Sequence, residues 1–309
     1  ILIIFIGLLP YALSQCYSGT LRESGQATVP MIAGVCAVFV NLTLNYILIY
    51  GKLGMPALGV SGAAIATVLA EVFASFAMFY RLIFRDDVIK WKFGHFVLCI
   101  NSIKEIINVG IPVFIRNGLS SISYGLFAKS SGLFGTDFLA ASGLSRKGEY
   151  FSRFVIMGVA QGYQSFAAYN YGAKNKQRLM DGLKMAMKFT IGYGFLMGGF
   201  FLFFPHIFMR ILTSDANLIA LGRNMLIGYA VSVPFVAVYQ ILAYNFQALG
   251  KGKLSFITSV LRQGIVYCPL VTILPRLFGM TGMIIVQPIC DLCSAIVVLL
   301  LSRSIIREI

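Results

Sequence analysis

The stretch IATVLAEVFASFAMFYRLIF, residues 65–84, is apolar on every face of a helix and carries Glu71 as its one charge before Arg81. A helix of ~20 residues rises about 30 Å, the thickness of a bilayer's hydrocarbon core. A strand of a membrane barrel would alternate apolar and polar residues over ~10 positions, and this stretch does not. A segment in lipid has to satisfy its backbone internally, so an α-helix is the structure left to it.

Stretches of the same kind fill the chain on both sides. Of 309 residues, 58% are hydrophobic and 12% charged, and the mean hydropathy is +0.84. Soluble domains hold about 25% charged residues, so a water-soluble globule is excluded. The pattern predicts an all-α, polytopic membrane protein with nine transmembrane helices, at residues 1–21, 29–50, 62–84, 103–134, 138–171, 179–209, 218–249, 254–274 and 282–301. Glycine and charge mark the turns between them, as in Gly172-Ala173-Lys174-Asn175-Lys176 and Gly250-Lys251-Gly252-Lys253.

Lys and Arg fall mainly on alternate turns: Arg22, then Arg81 to Lys104, then Lys174 to Lys184, then Lys251 and Lys253, then Arg303 and Arg307. The positive-inside rule puts these turns and the C-terminus in the cytoplasm, for a multi-pass protein of the cell (inner or plasma) membrane. The net charge of +14 follows from this bias. Its cations are spread over loops, so no nucleic-acid partner is expected; the expected partners are the lipid bilayer and small organic substrates, with the chain a monomer. The six cysteines lie in or beside apolar segments, and Cys290 and Cys293, although spaced as CxxC, read as core thiols. A redox or zinc pair would need water access and further ligands.

An internal repeat adds to this. Sliding the chain on itself by 225 positions places Gly25 on Gly250, Ile32 on Ile257, Val35 on Val260 and Gly54-Met55 on Gly279-Met280. The first three spans match the last three in order, and both third spans open at a glycine, Gly62 and Gly282. The expected organisation is a partial N-terminal lobe of three helices (1–84), a cytoplasmic interfacial linker containing Trp91 (85–102), and a complete six-helix C-terminal lobe (103–309). A parent of roughly 430 residues with twelve helices in two parallel repeats is implied, its first three helices absent here.

The stretch Met157-Gly158-Val159-Ala160-Gln161-Gly162-Tyr163-Gln164, continuing to Tyr169-Asn170-Tyr171-Gly172-Ala173-Lys174, resembles the eighth-helix signature of multidrug and toxic compound extrusion transporters. Gly110-Ile111-Pro112, Leu212-Thr213-Ser214-Asp215, Phe246-Gln247-Ala248-Leu249-Gly250-Lys251 and Leu261-Arg262-Gln263-Gly264 extend the resemblance along the chain, and Gly59 to Thr67 is similar to the family's entry to its sixth helix. The resemblance implies two lobes around a central cavity, and export of organic, often cationic, compounds driven by inward proton or sodium flow. It also implies a coupling carboxylate in the first helix of the family, to which no residue here corresponds. No cofactor beyond the coupling ion, H+ or Na+, and no metal site is expected.

Charges inside spans cost about 2.5 to 3.5 kcal/mol each on insertion scales, so they mark function or partner one another. Arg146, Glu149, Tyr150 and Arg153 share one helical face by their spacing of three and four residues. Glu149 is the candidate cation-responsive carboxylate, with Arg146 and Arg153 holding its ionisation; a static brace between helices is the competing reading. Asp291, next to Pro288 where a broken helix could free carbonyls for a cation, is a second candidate, and Glu71 a third. Gln161, Gln164 and Asn170 offer neutral hydrogen bonds to a varied ligand, and Tyr239 and Tyr244 offer aromatic faces that attract organic cations. Arg116 with Asn117, and Arg262 with Gln263, read as interhelical hydrogen-bonding pairs.

The chief rival function is a lipid-linked oligosaccharide flippase of the same superfamily, which would want a more cationic cavity than the single group around Glu149 supplies. An intramembrane enzyme is disfavoured, since no HExxH, facing aspartate pair or Ser/His dyad is present, and the lack of a Walker motif removes ATP as the direct driver.

Overall fold

The computed structural model describes residues 2–84 and 99–308. Among these residues there is no strand; the chain forms ten α-helices and one π-helical segment. They divide into two units, Ile1–Leu98 and Cys99–Ile309. Most of the expected interfacial linker, with Trp91 and His95, lies outside the described residues.

The first unit consists of α1 (Leu2–Glu23), α2 (Thr28–Tyr50) and α3 (Gly59–Phe84). The stretch that opened the sequence reading falls in α3. Its buried positions Gly62, Ala66, Ala70, Ala74 and Met78 repeat every four residues and form one stripe of mostly small side chains. Lipid offers no hydrophobic drive between helices, so close approach over small residues is what holds them together. The opposite faces, with Phe5, Val60 and Phe76, are exposed and apolar, as a lipid-facing surface requires.

The second unit comprises α4 (Ile100–Gly132), α5 (Thr136–Gly172), α6 (Lys176–Phe203), α7 (Pro205–Leu212), α8 (Ala216–Ala248), α9 (Gly252–Val260), the π segment (Leu261–Tyr267) and α10 (Cys268–Glu308). Helix α8 is its centre and packs on α5, α6 and α10. Two ends are capped by side chains placed at the turns: Asn175 Oδ1 accepts from the Arg178 amide, and Asp215 Oδ1 accepts from the amides of Asn217 and Leu218.

The helix pattern corrects two boundaries and the suggested break at Pro288. The expected span 179–209 is divided at Phe204, because Pro205 has no amide hydrogen to continue α6 and instead starts α7 at a position where none is needed. The span expected at 254–274 is three pieces, α9, the π segment and the start of α10. The break beyond it lies at Gly279 (φ 60°, ψ −139°), and α10 runs helically through Pro288, so that proline opens no gap beside Asp291.

By length and apolarity six stretches among the described residues suffice to cross a membrane: α1, α2, α3, α6, α8 and the run Gly252–Arg303 that holds the last two expected spans. Helices α4 and α5 are long enough, at 33 and 37 residues, but too polar. In α5 the causes are the charged group Arg146, Lys147, Glu149 and Arg153 in its first half and the neutral polar residues Gln161, Gln164 and Asn170 in its second.

The glycines among the sparse identities of the repeat fall on positions that the backbone itself dictates. Gly25 and Gly250 both end helices at positive φ, 86° and 68°, as do Gly54 and Gly279 in their turns, 78° and 60°. Gly62 sits against a carbonyl near the end of α2, and Gly282 against one in the part of α10 before the Gly279 kink. A Cβ at Gly62 would come 2.6 Å from the Leu48 oxygen, and one at Gly282 would collide with that of Leu274.

Gly62→Ala and Gly282→Ala are therefore each expected to destabilise the protein by about 1 to 3 kcal/mol. Gly199→Ala in α6, where nothing lies within 4 Å of the added methyl, should be neutral or slightly stabilising. Thermal unfolding of the purified variants in detergent measures all three.

Candidate functional site

The second unit has two adjoining, partly open cavities lined by α4, α5, α8, the π segment and α10, of about 250 Å³ and about 160 Å³. They share Ser120, Tyr150, Arg153, Arg262 and Gln263 as common walls. Arg116, Tyr239 and Tyr244 line the larger one; Arg146, Glu149 and Tyr267 line the smaller.

Helix α5 supplies the charged face that the spacing predicts, and its members take different partners. Arg153 Nη1 lies 3.2 Å from Glu149 Oε1, one helical turn away. Arg146, 8% exposed, donates from Nη2 to the Tyr267 hydroxyl at 2.9 Å. Its guanidinium carbon stands 3.8 Å from the centre of the Phe127 ring and 4.8 Å from that of Tyr124. Stacking of this kind contributes ~2 kcal/mol or more where water is absent. Thus Glu149 is held by Arg153, while Arg146 is held by aromatic rings and a phenol.

The π segment brings the remaining groups in. A wider helical turn leaves carbonyls without their usual amide partner, and such turns recur at functional sites. Here side chains take them up: Cys290 Sγ donates to the Arg262 carbonyl at 3.3 Å, and the Ser123 hydroxyl and the Cys268 thiol both donate to that of Gln263, each at 3.1 Å. All six cysteines are free thiols, and these two serve as hydrogen-bond donors inside the bundle.

The irregular turn directs Arg262 at Asp291 of α10. Nε and Nη2 of Arg262 donate to Asp291 Oδ1 at 2.9 and 2.6 Å, and Gln287 Nε2 donates to Oδ2 at 2.8 Å. The guanidinium also lies 5.1 Å from the centre of the Tyr239 ring. Asp291 has no exposed surface and lies behind Arg262, outside both cavities.

Of the residues singled out from sequence, Arg146, Glu149, Arg153, Tyr239 and Tyr244 thus come together, with Asp291 behind them. Gln161 and Gln164 sit further along α5 and line neither cavity. Asn170 donates to the carbonyl of Phe166 in its own helix and lines a separate cavity of about 490 Å³ at the α5–α6 turn, beside Lys174 and Lys176. Arg116 and Arg262 were expected only as structural pairs, yet both line the larger cavity. Tyr267 and Gln287 gave no sequence signal, since nothing in their neighbourhood forecasts a π-helical turn.

The first unit has its own polar cavity of about 430 Å³, lined by Ser14, Asn41, Thr67 and Glu71 among others. Ser14 Oγ donates to Glu71 Oε2 at 3.0 Å, and Asn45 Nδ2 donates to Asn41 Oδ1 at 2.9 Å.

Comparison with known proteins gives the following. The MatE family profile matches residues 112–273. The chain is 30% identical over 291 residues to the multidrug export protein MepA of Staphylococcus aureus, covering 91% of this chain and 62% of that protein. It is 27% identical over 221 residues to the probable multidrug resistance protein NorM of Thermotoga maritima, covering 72% and 47%. The chain thus spans less than two thirds of the length of these curated relatives. Among solved structures it resembles a MOP superfamily transporter from Pyrococcus furiosus, with a TM-score of 0.91 at 23% identity over 99% of this chain and 68% of that one. The MATE transporter VcmN of Vibrio cholerae gives 0.90 at 19% identity over 100% and 69%. The all-helical membrane fold expected from the sequence is the fold of these structures.

Removing one partner of a buried ion pair strands the other, at a cost of about 3 to 5 kcal/mol, whereas replacing both by apolar groups is often neutral. Asp291→Ala should accordingly lower the unfolding temperature sharply, and the double change Asp291→Leu with Arg262→Met should recover most of the loss. Thermal unfolding in detergent distinguishes this from a pair that contributes nothing, for which the single variant would behave like the parent.

Proposed function

The chain belongs to the MatE family, and from that premise we propose that it works as a secondary active transporter that exports organic compounds in exchange for inward protons or sodium ions. The single observation that carries this reading is the cavity within the second unit that holds an ion-paired carboxylate, Glu149 against Arg153. A transporter must bind its cargo inside the membrane and must respond there to the ion that drives it. The same pocket offers both: Tyr239 and Tyr244 as walls for an organic body, and a carboxylate whose pairing depends on its charge.

The chemistry proceeds from that pair. Neutralising Glu149 by a proton, or drawing it to a sodium ion, removes the partner of Arg153 and frees a guanidinium at the wall shared by the two cavities. A charge left unpaired in a low dielectric is strongly unfavourable, so the pocket has to rearrange or take up a counter-charge. Alternating access, in which the pocket opens to one side of the membrane at a time, converts that change into export. The charge distribution over the loops supports a cytoplasmic C-terminus.

Three measurements test this reading. Proteoliposomes carrying the full chain should move either ethidium, a cationic dye, or 6-carboxyfluorescein, an anionic one, above empty vesicles under an imposed proton or sodium gradient; movement of neither under either gradient sinks it. Glu149→Gln should abolish gradient-driven movement while folded protein accumulates normally, whereas loss of folded protein would mark Glu149 as a brace. A green fluorescent protein fused to the C-terminus should fluoresce in cells, and a dark fusion would reverse the orientation.

A further inference from the structure

The cavities hold more positive charge than their own carboxylates can balance. Arg116, Arg146, Arg153 and Arg262 line them, and Glu149 is the one carboxylate among the lining residues. Asp291 adds a second negative charge from behind the wall, but it is already taken by two nitrogens of Arg262 and by Gln287. Glu149 is taken by Arg153. Among the described residues that leaves Arg116, at the partly exposed edge, and Arg146, which is buried, with no carboxylate in ion-pair contact, and for Arg146 an unbalanced charge is costly.

A second, independent observation points the same way. Arg146 is more than nine-tenths buried, lines the smaller cavity, and has its Nε without a partner; Nη2 of Arg153 is also buried and unpaired. A guanidinium donates only, through a planar array suited to carboxylate, phosphate or sulfonate oxygens. Buried donors without acceptors around a cavity describe a place for an anion. An organic cation would meet repulsion from the two unmatched guanidinium groups there, and the aromatic walls would offset only ~0.5 to 2 kcal/mol of it.

We infer that this pocket takes an organic anion, a carboxylate, phosphate or sulfonate on an aromatic or amphiphilic body, with Arg146 and Arg116 as its charge partners and Tyr239 and Tyr244 as walls for the body. As a statement about cargo this rests on the transporter reading; as a statement about binding it does not. It departs from the cationic substrates that the family resemblance implies, because the sign of the pocket is set by four arginines that come from three different segments.

The test separates binding from movement. In detergent, fluorescence anisotropy of the full-length chain with 6-carboxyfluorescein and with ethidium should show the anionic dye bound at least tenfold more tightly. Arg116→Gln, at the half-exposed edge of the pocket, and Arg146→Gln should each weaken it about tenfold, with Arg146→Lys weakening it less. Size-exclusion profiles confirm folding, and Arg116→Gln keeps the test alive if Arg146→Gln fails to fold. Ethidium bound as tightly as the anion, or folded arginine variants with an unchanged preference, overturns the inference. In proteoliposomes, movement of 6-carboxyfluorescein supports a soluble anion, and movement of NBD-labelled phosphatidylglycerol in its place assigns the anion to a lipid headgroup. Ethidium moved with 6-carboxyfluorescein left behind overturns the inference and leaves the transporter standing. Selective anion binding with nothing moved under any gradient does the reverse.

Discussion

A charge inside a bilayer has to be matched within the protein, and that constraint organises the second unit. Arg262 and Asp291 meet it by direct contact, with both arginine nitrogens on one carboxylate oxygen and Gln287 on the other. The contact ties the π segment to α10 and so fixes where the irregular turn points. Regular helix from α9 into α10 would rotate the residues after Leu261 onto other faces; the inserted wide turn is what brings Arg262, Gln263 and Tyr267 to one cavity. The turn in turn depends on Ser123, Cys268 and Cys290, whose hydrogens occupy the carbonyls that it leaves open. Cysteine suits this position because it packs as a small apolar side chain while still offering a weak donor.

Much of this was legible in the sequence, for reasons that differ by residue. Apolar length gave the helices, since a bilayer imposes one minimum span on all of them. The spacing of Arg146, Glu149 and Arg153 gave a charged face, since helical geometry fixes which residues share a side. Pairing within that face was not legible. Arg146 turns to Phe127, Tyr124 and Tyr267, which come from α4 and the π segment, and no local rule reports which distant ring a guanidinium will reach. The π turn was equally hidden, as its cause lies in contacts with α4 and α10. Pro288 misled: a proline near a buried carboxylate suggests a break, yet the break is at Gly279, where the backbone takes a conformation that disfavours any side chain.

The repeat had a similar character. Few residues coincide at the offset of 225, and those that do include the glycines at positive φ. Lipid-facing positions accept any apolar residue, so they carry little information about ancestry or fold. A left-handed helix end or a backbone packed directly on a neighbouring carbonyl accepts almost nothing but glycine. Glycine at such positions is therefore more informative than the apolar coincidences Ile32 with Ile257 and Val35 with Val260, which many apolar residues could replace.

The helices that fail the test of apolarity are the ones that build the site. Helix α5 carries Arg146, Glu149 and Arg153 on the cavity face of its first half, and α4 contributes Arg116, Ser120 and Ser123 to the same walls. A helix that lies wholly against lipid has no use for such residues, and one that carries them is stable in a membrane only if its neighbours cover them. Helix α8 packs along α5 and is the most buried of the candidate spans, while α4 and the π segment cover Arg146. Polarity that lowers the evidence for a span therefore raises the evidence for a site, and in this chain the two readings converge on the same face of the same helix.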